Sequence, residues 1–162
     1  MNEERINGVR VSESRTEQTH LLMPQHLNAA GRLFGGQLLS WIDMTAGIVA
    51  MRHTSSNAVT AAIDHLNFKD SAEKSDIVTL IGEVTYTGNT SMEVRVDTYK
   101  ENRDGTKVHI NRAYLVMVAL DSVTKRPKHI PPVILETEEQ KLEWESAVLR
   151  AEFRKKRRKE GF

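Results

Sequence analysis

The 162-residue sequence contains no cysteine, which excludes disulfide bonds, thiolate metal ligands and a cysteine nucleophile. It also has no excess of one charge, because 23 basic residues stand against 22 acidic residues and the net charge is +1. A global field that would attract nucleic acid or a membrane surface is therefore not expected. No G-x-S-x-G motif occurs, which argues against an α/β-hydrolase.

Long hydrophobic runs are also absent. The N-terminal segment MNEERINGVRVSES is polar, whereas a signal peptide needs an apolar run of about 7 to 15 residues. Nothing approaches the roughly 18 apolar residues of a membrane span. With 39% hydrophobic residues, the chain is long enough for a single domain of the usual size. We expect a cytoplasmic protein.

Hydrophobic periodicity predicts one long helix and five strands, followed by a second helix. The long helix is predicted at 37–53, after a loop at 25–36, and the strands at 9–23, 58–68, 76–88, 91–100 and 108–121. Turn-forming residues at 88–90 and 102–105 join the later strands as hairpins. Thr137 is predicted to open the second helix. The pattern indicates an α+β domain in which an antiparallel five-stranded sheet packs on one helix.

The long helix has two different sides. One side is apolar, which is typical of a buried helix. The other carries small and polar residues, among them Gly36, Ser40, Asp43 and Gly47, so a ligand or another backbone can approach it closely. One helix cannot cover both faces of a sheet, and we therefore expect the other face or an edge of the sheet to meet a second subunit.

The start of this helix has the composition of an anion-stabilising site. Gly35 and Gly36 leave the first backbone N–H groups unobstructed, and these groups have no partner within the helix. Asp43 lies about two turns further along the same side, where it can act as a general base on water or attack an acyl carbon itself. Asn28 offers an amide donor and acceptor. Each residue alone has an ordinary structural explanation, and only the combination favours catalysis.

Three segments, in this order, resemble motifs of the hotdog acyl-CoA thioesterases of the cytosolic acyl-CoA hydrolase family. The segments are Asn28–Asp43, Ala58–Phe68 and Gly88–Val94, and the resemblance extends over about residues 10–130. It implies a hotdog fold, with the sheet wrapped around the long helix, in a thioesterase domain at 8–133 followed by a C-terminal helix and basic tail at 134–162. It also implies acyl-CoA as the substrate, with coenzyme A present only as part of substrate and product and no other cofactor.

The resemblance also implies roles for individual residues. Asn28 and Asp43 are expected to act together across a dimer interface, with the Gly36 N–H as an oxyanion donor and Gly35 beside it. The homodimer is the expected unit, and a trimer of dimers is common in the family. Coenzyme A is expected near the segment formed by Gly88, Asn89, Thr90 and Ser91. Thr60 and Asp64, on the strand at 58–68, are weaker candidates for substrate binding, and a structural role is the simpler interpretation of Asp64.

Two other classes of protein remain in view. An acyl-CoA-binding regulator would keep the fold without the chemistry, although such a protein has no need of Asp43. A hotdog dehydratase would use a histidine on the central helix, but the first histidine of this segment is His53, at its far end. No histidine spacing of the H-E-x-x-H kind occurs, so no metal site is expected. Residues 150–160 contain seven basic side chains. A solvated helix end is the simplest interpretation of this run. The alternatives are binding of an acidic partner such as RNA and attraction of the phosphates of coenzyme A.

Overall fold

The computed structural model describes residues 7–162, except for the side chain of His65. Residues 1–6, the start of the polar N-terminal segment, lie outside the described residues. The elements are, in order, β1 (Val9–Arg10), α1 (Val11–Ser14), β2 (Thr16–Leu21), a 3₁₀ turn (Pro24–His26), α2 (Gly35–Thr54), β3 (Ala58–Phe68), β4 (Ile77–Thr87), β5 (Ser91–Glu101), β6 (Lys107–Ala119), β7 (Val133–Ile134) and α3 (Glu138–Glu160).

Five strands form one antiparallel sheet in the order β2-β4-β5-β6-β3. The hairpins β4–β5 and β5–β6 turn at the two predicted turn segments, and β3 ends at the residues predicted for it. β3 forms one edge of the sheet and β2 the other. β1 and β7 pair separately as a short parallel ladder. The predicted five-stranded antiparallel sheet is confirmed.

The sheet wraps around α2, which contacts all five of its strands. The helix buries Leu38, Ile42 and Val49 completely or nearly so. Gly82 on β4 permits the close approach, because a Cβ atom there would lie 2.8 Å from Val49 Cγ2 and 3.0 Å from Thr45 Cγ2. The predicted arrangement of one long central helix with a C-terminal helix is confirmed.

The outer face of the sheet is covered by α3 of the same chain. Alternation along β5 turns Val94 and Val96 toward α2 and Glu93, Arg95 and Asp97 toward the outer face, where Arg95 and Glu93 form ion pairs with α3. The Thr137 side chain caps α3 by accepting a hydrogen bond from the Gln140 N–H, as predicted. In the described part of the chain, β2 and β3 are therefore the unpaired edges of the sheet, and α2 keeps an exposed side that carries Asp43 and Met44.

The predicted first strand at 9–23 is divided in the structure. Val9 and Arg10 pair with β7, and the chain then makes the short helix α1, in which the Arg10 N–H donates to the Glu13 carboxylate at 2.8 Å. Val11 and Ser14 are buried by this turn. The strand of the main sheet therefore begins at Thr16. No helix within residues 7–162 has the length and apolar character needed to cross a membrane.

Candidate functional site

The loop before α2 is folded around Asn28. Its backbone N–H donates to the Arg32 carbonyl at 2.8 Å, and its Oδ1 accepts from the N–H groups of Ala30 and Arg32 at 2.9 and 3.2 Å. Gly31 completes the turn at a φ of +73°. The side-chain oxygen of Asn28 therefore holds its own loop, whereas its amide nitrogen donates to no group within residues 7–162 and is exposed.

α2 starts without a side-chain cap. Phe34 is the N-cap residue, and its carbonyl accepts from Gln37 and Leu38. In the described part of the chain, the N–H groups of Gly35 and Gly36 donate to no group. The helix start thus offers two unused donors at the positive end of a 20-residue helix, where negative charge is favoured.

Asp43 lies two turns along α2 and is bound by the neighbouring edge strand. Its Oδ1 accepts a hydrogen bond of 2.5 Å from Thr60 Oγ1. The same hydroxyl lies 3.4 Å from Met117 Sδ, which keeps it on the helix side of the sheet. Asp43 is exposed in the isolated chain, so the carboxylate is oriented by Thr60 yet open on its other side.

Asp64 lies on the opposite face of β3 from Thr60. A β-bulge between Thr60 and Ala62 shifts the alternation by one residue, and Asp64 consequently pairs with Arg154 at 2.9 Å and Arg157 at 3.0 Å on α3. Burial would raise the pKa of Asp64, but hydrogen bonds from Arg154 and Arg157 outweigh burial and hold the pKa below its usual value. Asp64 is therefore a structural partner of α3 in this chain.

Exposed apolar side chains lie on α2 and β3, the two elements that carry Asp43 and Thr60. They are Phe34, just before α2, Met44 and Met51 on α2, and Val59, Ile63 and Phe68 on β3, each between 38% and 54% exposed. Apolar side chains concentrated in this way mark an interaction surface. The carboxylate of Asp43 thus lies on a surface suited to contact another subunit.

A cavity of about 240 Å³ opens at the start of α2. Asn28, Gly35, Leu38 and Phe68 line it, together with residues of the segment 70–72 and Ile110. Asp43 is not among the lining residues. Within one chain, Asn28 and Gly35 therefore line one cavity, whereas Asp43 lies against Thr60 and outside that cavity. The expected dimer interface would have to bring these two parts of the site together.

A larger cleft, of about 490 Å³, lies on the outer side of the sheet. The four predicted residues Gly88, Asn89, Thr90 and Ser91 line one side of it, and Arg154, Lys155 and Arg158 of α3 line the other. From the sequence, coenzyme A phosphate binding was one of three alternatives for the run that contains these residues, and the sequence could not place them beside Gly88–Ser91. Their signal was the basic run at 150–160, which by itself cannot be told from a solvated helix end.

Two histidines have structural contacts near α2. His20 stacks on Trp41 with ring centroids 4.0 Å apart, and burial, with the nearby His26 as a smaller cause, lowers the pKa of His20. His53 lies at the end of α2, where its Nε2 is 2.9 Å from the Pro131 carbonyl. Within residues 7–162, no three histidine or acidic side chains are grouped as metal ligands.

Fold and site together define a hotdog protein with a carboxylate on its central helix. The thioesterase superfamily matches residues 30–107. The uncharacterized acyl-CoA thioester hydrolase YkhA of Bacillus subtilis is 39% identical over 91% of this chain and 86% of its own length. A crystal structure of an apo-hexameric acyl-CoA thioesterase superimposes with a TM-score of 0.90 at 44% identity, covering 94% of this chain and 97% of that one.

The acyl-CoA hydrolase of Staphylococcus aureus is also similar. Its structure with butyryl coenzyme A, coenzyme A and coenzyme A disulfide superimposes with a TM-score of 0.89 at 34% identity, covering 94% of this chain and 93% of that one. Structures of that enzyme also exist with alanine in place of an aspartate, an asparagine and a threonine, the asparagine variant in complex with coenzyme A. The chain belongs to the thioesterase superfamily, among the acyl-CoA thioester hydrolases.

Proposed function

We propose that this chain hydrolyses acyl-CoA to a free fatty acid and coenzyme A at the site formed by the start of α2 and Asp43. The observation that carries the proposal is that α2 presents both required groups, the two unused N–H groups of Gly35 and Gly36 at its start and the exposed carboxylate of Asp43 held by Thr60, which a second subunit can bring together. Family membership supports the reaction class. The alanine variants of the S. aureus enzyme support the choice of residue types, because they replace the same three types as Asp43, Asn28 and Thr60.

The reaction requires charge stabilisation and one proton acceptor. Water adds to the acyl carbon, the carbonyl oxygen becomes an oxyanion, and the C–S bond then breaks with coenzyme A as the leaving group. The Gly36 N–H, with that of Gly35 beside it, stabilises the oxyanion, and one well-placed donor of this kind contributes about 2.7–4 kcal/mol. Asp43 takes the proton of the water, an effect of about 10²–10⁴-fold, and the proton passes to the leaving thiolate. Alternatively, Asp43 attacks the acyl carbon, expels coenzyme A and forms a mixed anhydride that water then hydrolyses to the free acid.

Asn28 fits the role of a donor in this reaction. Its oxygen is used by the loop, so the group it presents outward is the amide N–H. An amide donor binds the carbonyl oxygen of the thioester or the oxygen of the attacking water. The exposed surface around Asp43 supports the further proposal that Asn28 and Asp43 come together across a homodimer interface. The named hexameric relative supports a trimer of such dimers.

No metal ion or redox cofactor enters the proposed reaction. A thiolate is a good leaving group, and the helix N–H groups supply the positive potential that a Lewis acid would otherwise provide. We expect turnover to persist unchanged after dialysis of the enzyme against EDTA. Loss of activity that zinc or magnesium restores would contradict this part of the proposal. A cytoplasmic location stays a prediction.

The test is a thiol-release assay over acyl-CoA substrates of increasing chain length. Asp43→Asn should lose turnover by at least about 100-fold while coenzyme A binding persists, because the amide keeps the shape but accepts no proton. Glu145→Gln, at an exposed carboxylate on α3, is the matched control and should retain the wild-type rate. Binding of acyl-CoA without thiol release by the wild type would instead indicate a regulator, and full activity of Asp43→Asn would remove this residue from the site.

A further inference from the structure

His26 joins the loop that carries Asn28 to the helix α2. Its backbone carbonyl accepts a hydrogen bond from the Phe34 N–H at 2.9 Å, immediately before the N–H group of Gly35. Its half-buried imidazole lies edge-on to the Trp41 ring, with the ring centroids 5.0 Å apart and an angle of 72° between the planes. His26 is thus attached to α2 at two places, its first turn and its buried side.

The same imidazole also closes the 3₁₀ turn that precedes Asn28. Its Nδ1 accepts from the Met23 N–H at 3.1 Å, and the His26 N–H donates in return to the Met23 carbonyl at 2.9 Å. An accepting Nδ1 carries no hydrogen, so the neutral imidazole has its hydrogen on Nε2. One side chain therefore fixes the 3₁₀ turn and attaches it to α2, two residues before Asn28.

Trp41 gives this attachment a rigid support. The residue is only 4% exposed, and His20 of β2 stacks on its ring with centroids 4.0 Å apart and planes 2° from parallel. A side chain packed in this way has little freedom to move. Because edge-to-face aromatic contacts have a preferred geometry, the position of the loop is tied through His26 to that of the helix.

The hydrogen bonds of Asn28 itself are local. Its Oδ1 accepts from two N–H groups within residues 28–32, so these bonds fix the shape of the turn but not its place relative to α2. The far end of the turn is held by the Leu33 N–H, which donates to the Ala72 carbonyl at 2.7 Å. The near end follows directly from the 3₁₀ turn that His26 closes. The outward amide of Asn28 is therefore placed by its neighbours on both sides.

We propose that His26 is a positioning residue for Asn28, which holds the Asn28 amide at a fixed place beside the N–H groups that begin α2. The inference rests on the proposed function, because the part that Asn28 plays in hydrolysis belongs to it. His26 contacts no reacting atom in this assignment and acts through Asn28. Its placement matters because a displacement of about 1 Å can lower a rate by about 10²-fold.

Steady-state thiol release by the full chain tests this role through substitutions at position 26. His26→Ala removes both contacts of the ring, and kcat should fall about 10- to 100-fold. KM and the affinity for coenzyme A should stay at their wild-type values, because the displaced amide faces the reacting carbonyl. In support, the asparagine variant of the S. aureus enzyme is found in complex with coenzyme A.

Two further variants separate the contacts of the ring. His26→Asn keeps an acceptor at the position of Nδ1, and His26→Phe keeps an aromatic ring against Trp41. Each should have a kcat between those of His26→Ala and the wild type. Gln25→Ala, at an exposed neighbour in the same 3₁₀ turn, is the matched control and should keep the wild-type kcat. If both His26→Asn and His26→Phe were as slow as His26→Ala, neither contact would position the loop and the inference would be overturned.

A double variant shows whether His26 acts through Asn28. Asn28→Ala alone should lower kcat, and His26→Ala added to it should lower kcat no further, because no amide is left to be positioned. Losses that multiply in the double variant would overturn the inference, since His26 would then act by another route. A wild-type kcat for His26→Ala would overturn it as well.

The Asn28→Ala variant also separates failure of this inference from failure of the proposed function. If Asn28→Ala is slow and His26→Ala is not, the positioning role alone is lost and the role of Asn28 stands. If Asn28→Ala keeps the full kcat, the role of Asn28 in the proposed function fails, and the positioning role fails with it.

Amide hydrogen exchange of the full chain tests the placement without turnover. In His26→Ala, the N–H groups of residues 27–34 should exchange several-fold faster than in the wild type, because the loop has lost its attachment to α2. Exchange in the central strand β5 should be unchanged. Equal exchange of residues 27–34 in the two proteins would overturn the inference. A rise throughout the sheet would also overturn it, since His26 would then support the fold as a whole.

Discussion

The hydroxyl of Thr60 donates a hydrogen bond to the carboxylate of Asp43 across 2.5 Å, joining the edge strand β3 to the central helix α2. The bond uses one oxygen of the carboxylate and fixes its orientation, while the rest of the group stays open to solvent. Orientation of this kind matters most where a group must meet a reacting atom at short range. Thr60 is therefore a positioning residue for Asp43 in the proposed reaction.

We predict that Thr60→Val lowers kcat by about 10- to 100-fold and changes KM little, because a misplaced catalytic group can reduce the rate by about 10²-fold. Valine has the shape of threonine without the hydroxyl, so packing against Met117 is retained. Thr60→Ser keeps the donor and should recover most of the rate. The measurement is steady-state thiol release by the three proteins. A wild-type kcat for Thr60→Val would show that Asp43 needs no such partner.

Local sequence patterns predicted most of the fold, because helices and hairpins are encoded by periodicity and turn residues close together in the chain. They did not predict on which face of β3 each polar residue lies. Strict alternation places Thr60 and Asp64 on the same face, but the bulge between Thr60 and Ala62 separates them. A bulge changes the register by one residue and leaves the composition of the strand unchanged.

The contacts of α3 were equally hidden from the sequence. Its basic residues predicted a solvated helix end as readily as a binding surface, since charge runs are usually exposed. In the structure, Arg150 and Arg154 instead reach Glu93, 57 and 61 residues away in the chain. Such pairing depends on the tertiary fold, and no local period records it. For the same reason, the sequence predicted the segment from Gly88 to Ser91 as a binding element but could not place the basic residues of α3 on the opposite wall of its cleft.

The ion pairs of Asp64 predict how stability depends on pH. Arg154 and Arg157 hold the pKa of the folded protein's Asp64 below its usual value of 3.8. A depressed pKa contributes stability above the usual value, and this contribution is lost as the pH falls through the lower value of the folded state. Asp64→Asn should therefore be less stable than the wild type at pH 7, with the difference shrinking as the pH falls below about 4.

Urea denaturation at a series of pH values measures this difference. All samples need the same protomer concentration, because assembly contributes to apparent stability. Glu145→Gln, at an exposed carboxylate of α3, is the control and should follow the wild type at every pH. A difference between Asp64→Asn and the wild type that stays constant down to pH 3 would contradict the ionic role of Asp64.

The buried carboxylate of Glu93 makes Arg150 important for stability. Arg150 binds both Glu93 and Glu143, and its guanidinium lies 3.7 Å from the centre of the Tyr114 ring. Arg150→Met should lower the free energy of unfolding by about 3 kcal/mol, because Glu93 and Glu143 each lose one of their two arginine partners in a largely buried position. The stability of Arg150→Lys should lie between those of the wild type and Arg150→Met. Lysine keeps the positive charge but lacks the planar guanidinium that binds Glu93 through two nitrogens and stacks on Tyr114.

Equilibrium urea unfolding, with an unchanged dependence on denaturant, is the measurement for Arg150. Lys156→Met, an exposed substitution on the same helix, should change stability by no more than about 0.5 kcal/mol. If Arg150→Met were as stable as this control, the ion pairs between α3 and the outer face would be unimportant to the fold.

The close packing of Gly82 beneath α2 gives a prediction about the core. In Gly82→Ala, the new Cβ would lie 2.8 Å from Val49 Cγ2 and 3.0 Å from Thr45 Cγ2, so the helix or the strand must shift. Overpacking of this kind typically costs about 1–3 kcal/mol. Val49→Ala would remove one of the two obstructing methyl groups while leaving a cavity of its own. The double variant should therefore be more stable than the sum of the two single losses predicts, because the added methyl group occupies the vacated space. Thermal and urea unfolding of the wild type, the two single variants and the double variant measures this coupling. If the two losses of stability simply added, Val49 would not be the group that obstructs the new methyl group.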